Sequence, residues 1–182
     1  VGRTSCGSRG GRAGPLLSPA ARLNETIPFA CLFKQLAIGD LPLYNQDDDT
    51  AQAAPVMRLK AEIRASDGVL FVTPEYNRSI PGVLKNAIDH ASRPYGQSAW
   101  AGKPAGLLGV SVGAIGTALA QQHLRTVLAN LDMPTLGQPE AFIQAKEGLF
   151  DPQGHIGAGS RPFFQGWVNL YVAWVKQHGK VV

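Results

Sequence analysis

The chain has 182 residues, 45% hydrophobic and 16% charged, with a mean hydropathy of −0.04. That is apolar enough to bury the core of one domain and too apolar for intrinsic disorder, yet no stretch reaches the ~18 unbroken apolar residues of a membrane-spanning helix. The net charge of +4 sits mostly in residues 1–30, where four arginines face one glutamate; over residues 31–182, 13 Lys and Arg face 12 Asp and Glu. This nearly neutral body lacks the basic stripe that a phosphate backbone requires, so neither a nucleic acid nor a membrane is an expected partner. The two cysteines, Cys6 and Cys31, exclude a disulfide framework and form no zinc-ligand spacing with His90, His123, His155 or His178. A reducing cytoplasm is the expected location, and the opening residues do not follow the cationic, apolar, small-residue order of a secretory leader.

Residues 1–30 are rich in Gly, Arg, Ser and Pro without a sustained apolar period and form a segment distinct from residues 31–182. From there, strands and helices alternate. Leu32 to Ile38 is a short apolar run, followed by a polar connection through Asp47-Asp48-Asp49 that reads as a solvated turn. Gln52 to Ser66 carries Val56, Leu59 and Ile63 at helical spacing. Gly68 to Thr73 is a continuous β-branched and aromatic run stopped by Pro74, the mark of a strand buried on both faces. Pro81 suits the first turn of a helix to about Ala91. Pro104 to Ser111 repeats the buried-strand pattern, Ala118 to Leu131 is an amphipathic helix, Glu140 to Gln144 a last strand, and Phe163 to Gln177 a closing helix. In that helix Trp167, Tyr171 and Trp174 read as core or interface. The alternation predicts an α/β doubly wound parallel sheet with helices on both faces.

In such sheets ligands bind beyond the carboxyl ends of the strands. Two segments fall there. Thr73 to Gly82 packs Glu75, Tyr76, Asn77 and Arg78 together after a stiffening proline, with an aromatic surface and a turn-forming asparagine. Ser111 to Thr117 is a glycine-bearing turn that opens a helix; its glycines admit close backbone approach, and a helix start favours negative charge. Together they describe either a slot for a planar heterocycle that becomes anionic, or two ordinary strand–helix turns. Arg78 and Arg93 are read at the mouth of this slot, where a cation would attract phosphates or an anionic acceptor, or pair with surface carboxylates. His123 and Arg125 are read as packing or subunit contacts.

Residues 68–93, with Ser98 to Gly102 and the Ser-Val-Gly-Ala-Ile-Gly segment at 111–116, closely resemble the NADPH-dependent FMN reductases, most of all their chromate- and quinone-reducing branch. The motif carrying the likeness is Pro74-Glu75-Tyr76-Asn77, then Pro81-Gly82, then Leu84 to His90. The resemblance, spanning about Lys34 to Lys176, implies a flavodoxin-like sheet of five strands in the order 2-1-3-4-5. It also implies FMN as cofactor and NADPH or NADH as co-substrate. Pro74, Glu75, Tyr76 and Asn77 would lie against the flavin ring, and Ser111, Val112, Gly113, Ala114 and Ile115 near its pyrimidine end. Ser8 and Arg9 are the counterparts of the phosphate loop, in a segment that departs from the family by lacking an apolar first strand. The departure implies weakened hold on the FMN phosphate.

Electrons would pass through the flavin to a quinone, an azo compound, free flavin or a chromate-type acceptor. No side-chain acid or base is required, so no catalytic residue and no metal ligand is assigned. A homodimer or homotetramer is expected from the same likeness. The alternatives are a flavodoxin-type electron carrier, disfavoured by the near-neutral body, and a flavin-poor α/β binding scaffold.

Overall fold

The computed structural model describes residues 31–179 and the backbone of residues 2–5. Strands β1 (Gly2–Ser5), β2 (Leu32–Gln35), β3 (Gly68–Thr73), β4 (Ala105–Ser111) and β5 (Phe142–Gln144) form one sheet in the order β2-β1-β3-β4-β5. Helices α1 (Ala54–Arg64), α2 (Gly82–Ala91), α3 (Ala118–Asn130) and α4 (Arg161–His178) cover it. The continuous apolar run of β3 is explained by its two-sided burial. Val69 and Phe71 enter the core formed with α1, α2 and α3, through Leu59, Ile63, Ile88 and Leu124 among others. Leu70 points the other way, into the core that α4 supplies with Phe164, Trp167, Tyr171 and Val175. Leu107 and Leu108 of β4 divide between the same two cores, as strand periodicity requires.

The sheet is parallel across β3, β4 and β5. β1 corrects the expectation of a wholly parallel sheet: it runs antiparallel to both β2 and β3. Its sequence, Gly-Arg-Thr-Ser, offers no apolar set that would fix its direction in a two-faced sheet, and strands of that kind are weakly specified.

Element bounds shift by a few residues. β2 ends at Gln35 rather than Ile38, and of its four residues Phe33 alone is buried. Pro81 is the N-cap of α2 rather than its first helical residue. The indoles of α4 behave as core: Trp167 stacks on Tyr171 with ring centroids 5.7 Å apart, and the Nε1–H groups of Trp167 and Trp174 donate to the carbonyls of Pro139 and Pro134. No helix among the described residues is long and apolar enough to cross a membrane.

Candidate active site

β3 and β4 are adjacent and parallel, so the segments leaving their carboxyl ends emerge side by side. The first, residues 73–82, folds back as a tight hairpin: Tyr76 and Ser79 exchange N–H···O bonds of 2.9 and 3.0 Å. Asn77 and Arg78 between them have φ of 50° and 65°, the doubly left-handed arrangement of a two-residue hairpin turn. Asparagine tolerates this conformation, as the sequence reading of the turn required; arginine does so at a cost.

This hairpin is strapped to α3. The Glu75 side chain, only 7% exposed, accepts the N–H groups of Leu119 and Ala120 through Oε2, both at 3.1 Å. Thr117 at the N-cap makes no capping bond of its own; its buried hydroxyl accepts instead from Gln121 Nε2 at 2.9 Å. Glu75 therefore caps the helix from 44 residues away, a charge-assisted arrangement worth about 1–2 kcal/mol. Further along, His123 Nδ1 and Ser79 Oγ are 3.1 Å apart. The expectation that the start of α3 is open to a ligand's negative charge is corrected: Glu75 already occupies its first turn.

Among the described residues, the second segment is held at its two ends. The Ser111 carbonyl accepts from Ala145 N–H at 2.8 Å, the Val112 carbonyl from Gln144 Nε2 at 3.2 Å, and Gly116 N–H closes a turn onto the Gly113 carbonyl at 2.9 Å. Gly116 has φ of +58°, and a Cβ on it would sit 2.7 Å from the Phe142 carbonyl carbon, so only glycine fits. Gly113 N–H donates to Ser111 Oγ at 3.2 Å. Among the described residues, the N–H groups of Val112, Ala114 and Ile115 have no hydrogen-bond partner. Around them, Val112 is 84% exposed, Tyr76 60%, Ile115 45% and Leu119 37%. A fixed hairpin carrying an exposed aromatic ring thus emerges beside backbone donors that no described residue satisfies, with apolar side chains around them. Such a set suits the face and the carbonyl edge of a flavin ring.

The structure thus brings Pro74, Glu75, Tyr76, Asn77, Ser111, Val112, Gly113, Ala114 and Ile115 to one end of the sheet. Ser8 and Arg9 lie outside the described residues. Arg93 follows the end of α2 and lines a depression of about 550 Å³ between α2 and α3 with Tyr44, Lys85 and Thr126. Sequence reading missed the Ser79–His123 contact and the rim position of Leu119. Arg125 is a packing residue, donating to the Leu136 and Gly137 carbonyls at 3.0 and 3.4 Å. Asp47 and Asp48 are exposed in a single 3-10 turn with Gln46, and no cluster of three metal-ligating side chains exists among the described residues.

Comparison with known proteins places this geometry. A family model described as NADPH-dependent FMN reductase matches residues 7–148. The match encloses both loops and reaches Ser8 and Arg9. A quinone reductase of Pseudomonas putida is 52% identical over 159 residues, 86% of this chain and 85% of that protein. A 2-hydroxy-1,4-benzoquinone reductase of a Burkholderia species is 51% identical over 158 residues, 86% of each. Among solved structures, a flavoenzyme NAD(P)H:(acceptor) oxidoreductase of Paracoccus denitrificans superposes with a TM-score of 0.75 at 46% identity, covering 80% of each chain.

Proposed function

Because this chain belongs to the NADPH-dependent FMN reductase family, we propose that it is an NAD(P)H-dependent flavoprotein that reduces quinones, with the flavin ring seated between the two loops. The observation that carries this reading is the set of N–H groups at Val112, Ala114 and Ile115 that find no partner among the described residues, on the loop beside the strapped Tyr76 hairpin. When bound, FMN supplies the two-electron chemistry, taking electrons from NAD(P)H and delivering them to the acceptor.

The protein supplies position and electrostatics. Tyr76, Asn77 and the backbone of Pro74 and Glu75 would form the wall against which the ring lies. That wall stays in place because Glu75 and Ser79 bind α3. The N–H groups of residues 112, 114 and 115 would donate to the ring's carbonyl edge, where reduction concentrates negative charge; preorganised donors stabilise such charge without rearranging. Ser8 and Arg9 would hold the phosphate. The open rim at Val112, Ile115 and Leu119 leaves one face of the slot for nicotinamide and quinone in turn. Azo compounds, free flavin and chromate-type anions are further acceptors that such an open slot admits.

The test is spectroscopic. Protein loaded with FMN should show flavin bands, lose them on anaerobic addition of NADPH, and regain them on addition of a quinone. Protein that takes up no flavin contradicts the reading. The same reading makes the chain a cytoplasmic homodimer or homotetramer, supported by the exposed Val83 and Leu119 on α2 and α3. Sedimentation should then give a multiple of 19.3 kDa, and a monomer at micromolar concentration would contradict it.

A further inference from the structure

We propose that Arg78 is a specificity-determining residue, placing a cation at the slot so that negatively charged co-substrates are favoured over neutral ones. The inference rests on the flavin-reductase reading and adds to it the charge class of what the slot selects.

The two loops, residues 73–82 and 111–117, contain one acidic and one basic side chain, Glu75 and Arg78. The acid faces inward, with one oxygen committed to the first turn of α3. Its other oxygen, Oε1, lies 3.6 Å from the Arg78 guanidinium. That distance is too long for a strong hydrogen bond, and the guanidinium, 66% exposed, keeps most of its surface in solvent. Glu75 thus tethers Arg78 to the hairpin tip without neutralising it by a tight contact.

The backbone adds an independent argument. Arg78 has φ of 65° at the second central position of the hairpin turn, following Asn77 with φ of 50°. Glycine is the residue that such a position favours, and a long side chain there is strained. Strain of this kind is retained where it serves a site. The exposed charge is what arginine brings that glycine would not. Its neighbour along the chain, at one residue's remove, is the exposed ring of Tyr76. Glu75 joins the two loops, with Oε1 3.6 Å from the Arg78 guanidinium and Oε2 on the first turn of α3, so the cation stands where they meet. The ligand chemistry it suits is an anionic group at the periphery of a planar co-substrate: the 2′-phosphate of NADPH, or an ionised substituent on a quinone.

The experiment compares wild-type protein with Arg78→Gln and Arg78→Gly, each loaded with FMN. The first ratio is kcat/KM for a sulfonated naphthoquinone over that for its uncharged parent. The second is kcat/KM for NADPH over that for NADH. A partly exposed cation predicts a fall of about threefold to fivefold in at least one ratio, expressed in KM and shrinking at high salt. A fall in the first assigns the anion to the acceptor; a fall in the second assigns it to the 2′-phosphate.

Arg78→Gly separates function from structure. It relieves the left-handed backbone, so its unfolding midpoint should equal or exceed that of wild type while the selectivity is lost. Both ratios unchanged in both variants, with flavin bound as in wild type, overturns the proposal. So does a loss of stability in Arg78→Gly without a change in either ratio. Wild-type protein that takes up no flavin overturns the underlying reading, and this inference with it.

Discussion

The loop after β3 spends its polar groups on the protein: Glu75 on two N–H groups of α3, Ser79 on His123, and the Tyr76 and Ser79 backbones on each other. The loop after β4, of similar position and length, leaves the N–H groups of Val112, Ala114 and Ile115 unpaired among the described residues. The first loop is a fixed wall and the second is a set of donors awaiting acceptors. Adjacent strands can carry both because the stiffness of the first is borrowed from the helix that the second opens. A side chain therefore links the two halves of the slot, and the contrast yields a graded series of tests.

The largest effect belongs to Gly116, whose positive φ and closeness to the Phe142 backbone leave no room for a side chain. Gly116→Val should destabilise the fold by about 3 kcal/mol or more, read in urea unfolding. Gly113 is the opposite case in the same loop. A Cβ there meets only Ser111 Oγ, at 3.6 Å, and its φ is unstrained. Gly113→Val should leave stability within about 0.5 kcal/mol of wild type, yet lower FMN affinity about tenfold or more by crowding the ring. Unchanged affinity would remove this loop from the site.

Glu75→Ala should cost about 1 kcal/mol, the ordinary loss of a helix cap. Amide exchange at Leu119 and Ala120 should quicken in that variant. Glu75→Gln, which keeps an acceptor oxygen, should recover most of the loss.

The smallest effect lies outside both loops and serves as their control. The hydrogen bond from Arg58, with N···O distances of 2.7 and 3.1 Å, holds the Asp40 carboxyl below its ordinary value of 3.8. A carboxyl depressed on folding adds stability that is present above its unfolded value and lost as the pH falls through the folded one. Asp40→Asn should flatten the acid limb of the stability profile slightly and leave flavin binding untouched.

Much of this was readable from residue order alone. Gly68 to Thr73 and the helix from Ala118 matched their elements because two-sided burial and helical period leave unambiguous apolar patterns. Both loops were locatable because turn-forming residues follow those strands directly. What escaped were relations between distant residues. The Glu75 carboxylate meets α3 across 44 residues, and nothing local to the motif marks that partner. The depression that Arg93 lines with Tyr44 joins residues 49 positions apart, and nothing local to either marks it. The direction of β1 was unreadable for a different reason: four small or polar residues give no face to bury.

The contrast between a spent loop and an unspent one is tested most directly by following individual backbone amides as FMN is added to isotopically labelled apoprotein. The account predicts large shifts at Val112, Ala114 and Ile115, as their N–H groups acquire acceptors. It predicts small ones at Leu119 and Ala120, whose N–H groups remain on Glu75. Large shifts at Leu119 and Ala120 with none at the three loop amides would contradict it, because the flavin would then be meeting the start of α3 instead of the loop before it.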